Sequence, residues 1–212
     1  MRNTGYGKLL SKRFGILNPP NFVTSVSRGA AITFTRLRLD CAGRTFDRIP
    51  AEDAYSIHVN FLKQESFSAS RKARTVERYL LGEGDSTMLD YSETSTATLY
   101  SALDVVRVYV PRLTLQDFAR EEYGSGEVRL KPPQQVLRDP ILYNLGACLK
   151  ALLEHPEENN SLLVDHIALS LQSHLYQTYS ATPASSRGAR GGLAPGRRAA
   201  RRRPWVRTWT KK

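Results

Sequence analysis

Residues 55–61 alternate without a break: Tyr55, Ile57, Val59 and Phe61 are apolar, and Ser56, His58 and Asn60 fall between them. A period of two puts the two sets on opposite sides of a strand, so Tyr55–Leu62 is expected to be a half-buried strand with His58 on the polar side. Ala31–Leu39 also alternates, but Ile32 and Phe34 are out of phase with Leu37 and Leu39. That phase shift predicts a bulge or two short strands. Thr75–Leu81 and Thr87–Tyr91 are shorter strand candidates on either side of the turn Gly82-Glu83-Gly84-Asp85. Ala102–Val110 is rich in β-branched residues and stops at Pro111, which cannot continue a ladder.

After Pro111 the period changes. Thr114, with Asp117 three residues on, makes a weak capping box, and Leu115, Phe118 and Ala119 give a short helix near 114–122 its apolar stripe. The longest periodic signal in the chain runs from Asp139 to Tyr179. Asp139 is a good N-cap, and Pro140 occupies the first helical position, where its missing N–H costs nothing. Ile141, Leu145, Cys148 and Leu152 fall on one stripe, which Leu142, Leu149 and Leu153 widen. Pro156 ends this helix. Glu157 and Glu158 suit the positive end of a second helix, in which Leu163, Ile167, Leu171 and Leu175 recur every four residues and Tyr176 and Tyr179 extend the face. Stripes this wide serve both a core and a partner, and the candidate dimer face is Leu145, Leu149, Leu152, Leu163, Ile167 and Leu171. The organisation expected is a loose arm (1–20), a β-rich domain (21–135), a helical hairpin (136–180), and a linker with a basic, non-globular tail (181–212). Short strands followed by a helical hairpin make the fold class α+β.

Charge sharpens the boundary at the end. The chain has 212 residues and a net charge of +11, which invites a nucleic-acid reading. Ten of its 31 basic residues and none of its 20 acidic ones fall within 187–212, so residues 1–186 are nearly neutral. Composition therefore gives no phosphate-binding surface to the body. The tail, with Trp205 and Trp209, could bind nucleic acid non-specifically. Cys41 and Cys148 belong to no paired motif and are expected to be buried, reduced thiols. No apolar run is long enough for a membrane span, and no secretory signal is evident, so a cytoplasmic location is expected.

Candidate chemistry is sparse. His58, His155, His166 and His174 do not have the spacing of a metal set, and no metal or cofactor is expected. Asp165, His166 and Ser170 list the letters of a triad, but they lie on one helix. No nucleophile elbow, phosphate loop or dinucleotide fingerprint occurs, and no catalytic residue is expected.

Several short stretches, in order, carry a resemblance: Tyr109-Val110-Pro111-Arg112, Asp139-Pro140, Leu145-Gly146, Leu163-Val164-Asp165-His166, Tyr179, and Gly191-Gly192-Leu193-Ala194-Pro195. Together, over roughly residues 30–195, the chain resembles the N-terminal portion of AraC/XylS-family bacterial transcription regulators. The resemblance implies a cupin-like (jelly-roll) β-barrel followed by helices, a small-molecule effector, and dimerisation with itself or an intact relative. It also implies a following domain with two helix-turn-helix units. The 17 residues after Pro195 are too few for such a domain, and their Arg-, Pro- and Trp-rich, acid-free composition is that of a GC-rich gene read out of frame. The resemblance thus implies a regulator cut short before its DNA-binding part, with no specific DNA binding. Its effector would sit in the barrel interior, lined from strands Tyr55–Phe61 and Val105–Tyr109. Two other readings stay open: a stand-alone cupin-like binding protein or enzyme, and a nucleic-acid binder acting through the tail.

Overall fold

The computed structural model describes residues 18–24, 31–40, 44–46, 51–70, 75–92, 95–124, 126–131, 136–158 and 161–181. The expectations for Cys41, for the arm before Asn18, and for the linker and tail beyond Ala181 lie outside the described residues. The strands are β1 (Asn21–Val23), β2 (Thr33–Leu39), β3 (Arg44–Phe46), β4 (Ala54–Asn60), β5 (Gln64–Ser70), β6 (Thr75–Leu81), β7 (Ser86–Asp90), β8 (Ser95–Leu99) and β9 (Leu103–Pro111). The helices are α1 (Arg112–Tyr123), α2 (Pro140–Glu154) and α3 (Ser161–Tyr179), with a 3-10 turn at Pro156–Glu158 between the last two.

β2 pairs with β9, β3 with β8, β4 with β7 and β5 with β6, all antiparallel. That nesting is one long hairpin folded over onto itself, which is a jelly roll. It makes a five-stranded sheet, β1-β2-β9-β4-β7, and a four-stranded sheet, β3-β8-β5-β6. The fold is α+β, a jelly roll with the helices after the strands.

The five-stranded sheet is buried on both faces. On its outer face Phe34, Tyr55, Ile57, Val59, Val106 and Val108 form one core with Leu115 of α1, Leu142, Leu149 and Leu153 of α2, and Ile167, Leu171 and Leu175 of α3. Each such side chain contributes roughly 1.5–3 kcal/mol by leaving water. On the inner face Leu37, Leu39, Leu103 and Val105 meet Leu99 of the second sheet. The phase shift in β2 is therefore not a bulge. Thr33–Leu39 pairs with Tyr109–Leu103 residue for residue. What changes along β2 is the face that is apolar, outward at Phe34 and inward at Leu37 and Leu39.

The helical boundaries differ in two places. Glu157 and Glu158, expected at the positive end of the second helix, lie in the 3-10 turn, and α3 begins at Ser161 with no acidic residue in its first turn. The start of α1 also moves. α1 starts at Arg112, with Pro111 before it and no side-chain cap, so Thr114 does not form the expected capping box and is instead buried. Gly124 closes α1 in the left-handed region, at φ 68°, where glycine carries no Cβ penalty. The N-cap of α2 is as expected: Asp139 Oδ1 accepts from Ile141 N at 2.9 Å and Leu142 N at 3.1 Å. Its other oxygen, Oδ2, accepts from Tyr179 Oη at 2.5 Å and lies 2.6 Å from His174 Nε2. One carboxylate thus caps the start of α2 and holds the end of α3. Burial opposes ionisation of Asp139, but the bonds from Tyr179 and His174 outweigh it and hold the carboxyl below the usual carboxylate range.

The buried line of α2 is Leu142, Gly146, Leu149 and Leu153. Ile141 is exposed, and so is Cys148, which was expected to be a buried thiol. The helix is turned this way because Gly146 lies against β4. A Cβ there would stand 2.8 Å from Val59 Cγ1, closer than side-chain atoms pack.

Gly146→Ala should therefore cost about 1–3 kcal/mol by overpacking, despite alanine's better helix propensity. Val59→Ala should relieve the clash, so that in urea unfolding the double variant loses less than the sum of the single losses. Strict additivity would show that the close approach is not what holds glycine there.

Candidate functional site

Strand parity divides the jelly-roll interior into two halves. β9 sends Leu103, Val105, Arg107 and Tyr109 inward, and β4 sends Ser56, His58 and Asn60. The register sets Thr35, Arg107 and His58 in one row, and Thr33, Tyr109 and Ser56 in the next. The half towards Leu103 is apolar. The half towards Tyr109 is polar, and it is the candidate site.

Arg107 is its centre. Its side chain is 2% exposed. Nε donates to Ser56 Oγ at 2.9 Å, and Nη2 donates to the Tyr91 hydroxyl. The guanidinium also lies over the Tyr91 ring, 5.3 Å from its centre. Ser56 Oγ is 3.0 Å from His58 Nε2. Because Ser56 accepts from Arg107, its own proton is free to go to His58. Burial, and then the charge of Arg107, push the His58 imidazole down to about 3. His58 is neutral at physiological pH and can accept that proton.

The rim ties this interior to the helices. Tyr109 Oη donates to Glu52 Oε2 at 2.7 Å. Burial and the Glu52 carboxylate raise the Tyr109 phenol well above its ordinary value. The next residue, Asp53, accepts from Arg112 Nε at 2.5 Å, at the first position of α1. Arg112 also reaches Asp90 at 3.1 Å and donates to the Tyr55 hydroxyl.

For the strands Tyr55–Phe61 and Val105–Tyr109, expected to line an effector site, the structure resolves which members face inward. Tyr55, Ile57 and Val59 face the helices, whereas Ser56, His58 and Asn60 face the interior. Sequence reading did not single out Arg107 or Ser56. A charged residue inside the β-branched run Val105–Val110 was the available signal. The other histidines do not join the site. His174 belongs to the Asp139 clasp, His166 Nδ1 lies 2.7 Å from the Leu162 carbonyl, and His155 is 3.5 Å from Glu157. Ser170 Oγ donates to the His166 carbonyl and His166 Nδ1 lies against the Leu162 carbonyl, so Asp165, His166 and Ser170 form no relay. Among the described residues no three His, Cys, Asp or Glu side chains are grouped to hold a metal, and no helix is long and apolar enough to cross a membrane.

The candidate dimer residues divide. Leu149, Ile167 and Leu171 are buried in the chain's own core and are corrected out of any free face, because the wide stripes spend their inner edge on the sheet. Leu145 and Leu152 are half-buried at the core's edge, and Leu163 is 43% exposed.

No family model matches the chain, and no curated protein does. Solved structures do share part of the fold. A Bacillus subtilis oxalate decarboxylase is 10% identical over 38% of this chain, with a TM-score of 0.31, and the chain spans 21% of its length. A predicted oxalate decarboxylase from Thermotoga maritima is 12% identical over 44% of this chain and 93% of its own, with a TM-score of 0.30. A cupin superfamily protein from Desulfitobacterium hafniense is 9% identical over 42% of this chain and 74% of its own, also at 0.30. Likenesses this partial add no function to what strand pairing gives.

The neutral state of His58 has a pH signature. Below about pH 6.5 the unfolded chain binds a proton there that the folded chain refuses until about pH 3. Stability is therefore expected to fall as pH drops through that window, by up to about 1.4 kcal/mol per pH unit. Urea unfolding from pH 7 to 4 should show a shallower decline in His58→Gln, which has no proton to bind in either state. Equal slopes would mean that His58 takes up its proton as readily in the folded chain as in the unfolded one.

Proposed function

We propose that the chain binds a small molecule inside its jelly roll and is the sensing and dimerising portion of an AraC-type transcription regulator acting in the cytoplasm. The observation that carries the binding half is the polar end of the interior, where Arg107, Ser56, His58 and Tyr109 face inward behind a helix-covered sheet. The regulator half rests on the resemblance. It is supported by what the quoted residues do here: Asp139 and Tyr179 close the hairpin, Gly146 lets α2 approach β4, and Arg112 anchors α1 to the barrel rim. The reading assigns no catalytic residue. A second reading, a stand-alone cupin-like binding protein, is favoured by the fact that, among the described residues, the side chains named at the polar half of the interior all lie between Thr33 and Tyr109.

The dimer surface in this proposal differs from the six leucines and isoleucines first expected. On α2 it follows Ile141, Leu145, Cys148 and Leu152, spaced at i, i+4, i+7 and i+11, and on α3 it takes in Leu162, Leu163 and Leu169. Ile141 is 51% exposed and Leu162 67%, which is costly for a solvated surface and ordinary for an interface.

The two readings separate in one assay. The full chain is fused to a monomeric DNA-binding domain that represses a reporter only when paired. Repression should occur, and Ile141→Asp with Leu162→Asp should reduce it about tenfold or more, the scale of losing roughly 1.4 kcal/mol of association, without loss of fold by circular dichroism. No repression by the parent fusion would refute the regulator reading and leave the stand-alone one.

A further inference from the structure

Charge is divided unevenly along the chain. Residues 1–138 carry 20 basic and 15 acidic side chains, residues 139–180 carry one basic and five acidic, and residues 187–212 carry ten basic and none acidic. The hairpin is thus the acidic part of a chain that ends in a strongly basic one. Two of its five carboxylates are committed: Asp139 to the clasp with His174 and Tyr179, and Glu154 to Arg36 at 2.7 Å. The other three, Glu157, Glu158 and Asp165, belong to the turn end, on the 3-10 turn and the first half of α3. α3 itself contains no lysine or arginine.

Apolar surface is exposed at the same end. Leu162 is 67% exposed and Leu169 40%. A period of 3.6 residues sets Leu162, Asp165 and Leu169 on one face, turned away from the buried Val164, Ile167, Leu171 and Leu175. Leucines interleaved with carboxylates suit an occupant that is both cationic and aromatic. The chain contains such a segment. Arg197–Trp209 holds six arginines and both tryptophans of the protein, with Trp205, Val206 and Trp209 as its apolar members. It can reach. Leu162 lies about 26 Å back along α3 from Tyr179, and the 24 residues from Ala181 to Trp205 span up to about 80 Å when extended. Tethering gives the segment an effective concentration of roughly millimolar, so a weak contact is enough to be populated. The net positive charge of residues 1–138 disfavours docking on the barrel.

We propose that Arg197–Trp209 folds back onto the outer face of α3 at its turn end, with Trp205 and Trp209 against Leu162 and Leu169 and the arginines facing Glu157, Glu158 and Asp165. The contact does not rest on the pairing proposed above. Leu162 and Leu169 belong to both surfaces, however, so a second copy has to displace the tail.

Trp205 and Trp209 are the only tryptophans in the chain, so intrinsic fluorescence of the full protein reports on the tail alone. Against a peptide of residues 181–212, the full chain should show blue-shifted emission and about twofold or more slower quenching by acrylamide, a neutral quencher, as a mostly populated tethered contact requires. The protection should weaken in 1 M sodium chloride, where the screening length falls to about 3 Å. It should be lost in Glu157→Lys with Glu158→Lys and Asp165→Lys, and in Leu162→Ser with Leu169→Ser. These positions are outside the core, so circular dichroism should be unchanged in both variants. Emission and quenching equal to those of the peptide would overturn the proposal. So would protection that survives in both variants, which would put the tail elsewhere, or protection that fades on dilution, which would put it on a second copy. None of these outcomes bears on the reporter fusion, which decides the regulator reading separately.

Discussion

A sheet buried on both faces is the constraint that organises this protein. β9 lies between β2 and β4, and nearly every residue of Leu103–Pro111 is buried. Its even-numbered members face the helices and its odd-numbered ones the second sheet. An amphipathic strand has one face that tolerates water, but β9 has none, so both coverings must be present for it to be stable. The helices are thus not an appendage to a finished barrel. Remove them and Val106, Val108, Phe34 and Ile57 face solvent. The exception to apolar filling, Asp104 on the helix side, is met by Arg36 at 3.0 Å, with Lys150 of α2 at 3.7 Å. A buried carboxylate must be paired in this way, and the pairing fixes where α2 crosses the sheet.

The strands with strong apolar alternation were legible in the sequence, and so was the helical hairpin with its Asp139 cap. β5 and β8, QESFSAS and STATL, were not. Their serines and threonines give no alternation of polarity, and they are strands because β6 and β3 pair with them. β1 and β3, of three residues each, are too short to show a period. The misreading of α2 has a similar origin. A helix apolar nearly all round offers several stripes, and periodicity alone could not choose Leu142, Leu149 and Leu153 over Ile141 and Cys148. The choice comes from Gly146 against Val59, a contact between residues far apart in the chain.

The polar interior was half legible. Alternation set Ser56, His58 and Asn60 apart from their apolar neighbours, but a polar face normally means the solvent face. Here it is the inner one, because the apolar face is taken by the helices. The role of Arg107 could not be read at all, since its Ser56 and Tyr91 partners lie on other strands. The depression of His58 comes first from burial between the sheets and then from Arg107, which the pairing of β4 with β9 brings beside it.

The double use of Asp139 bears on how the hairpin can move. Its turn end is set by Pro156, and its open end is pinned by a carboxylate whose two oxygens serve different helices. Sliding α3 along α2 by a single residue would carry Tyr179 and His174 away from a carboxylate that the cap holds fixed, and the clasp would break. The pair is therefore stiff against internal shear, and a push at either helix passes through it as rotation of one body. Two copies meeting along this hairpin would transmit the tilt of one barrel to the other with little lost in the joint.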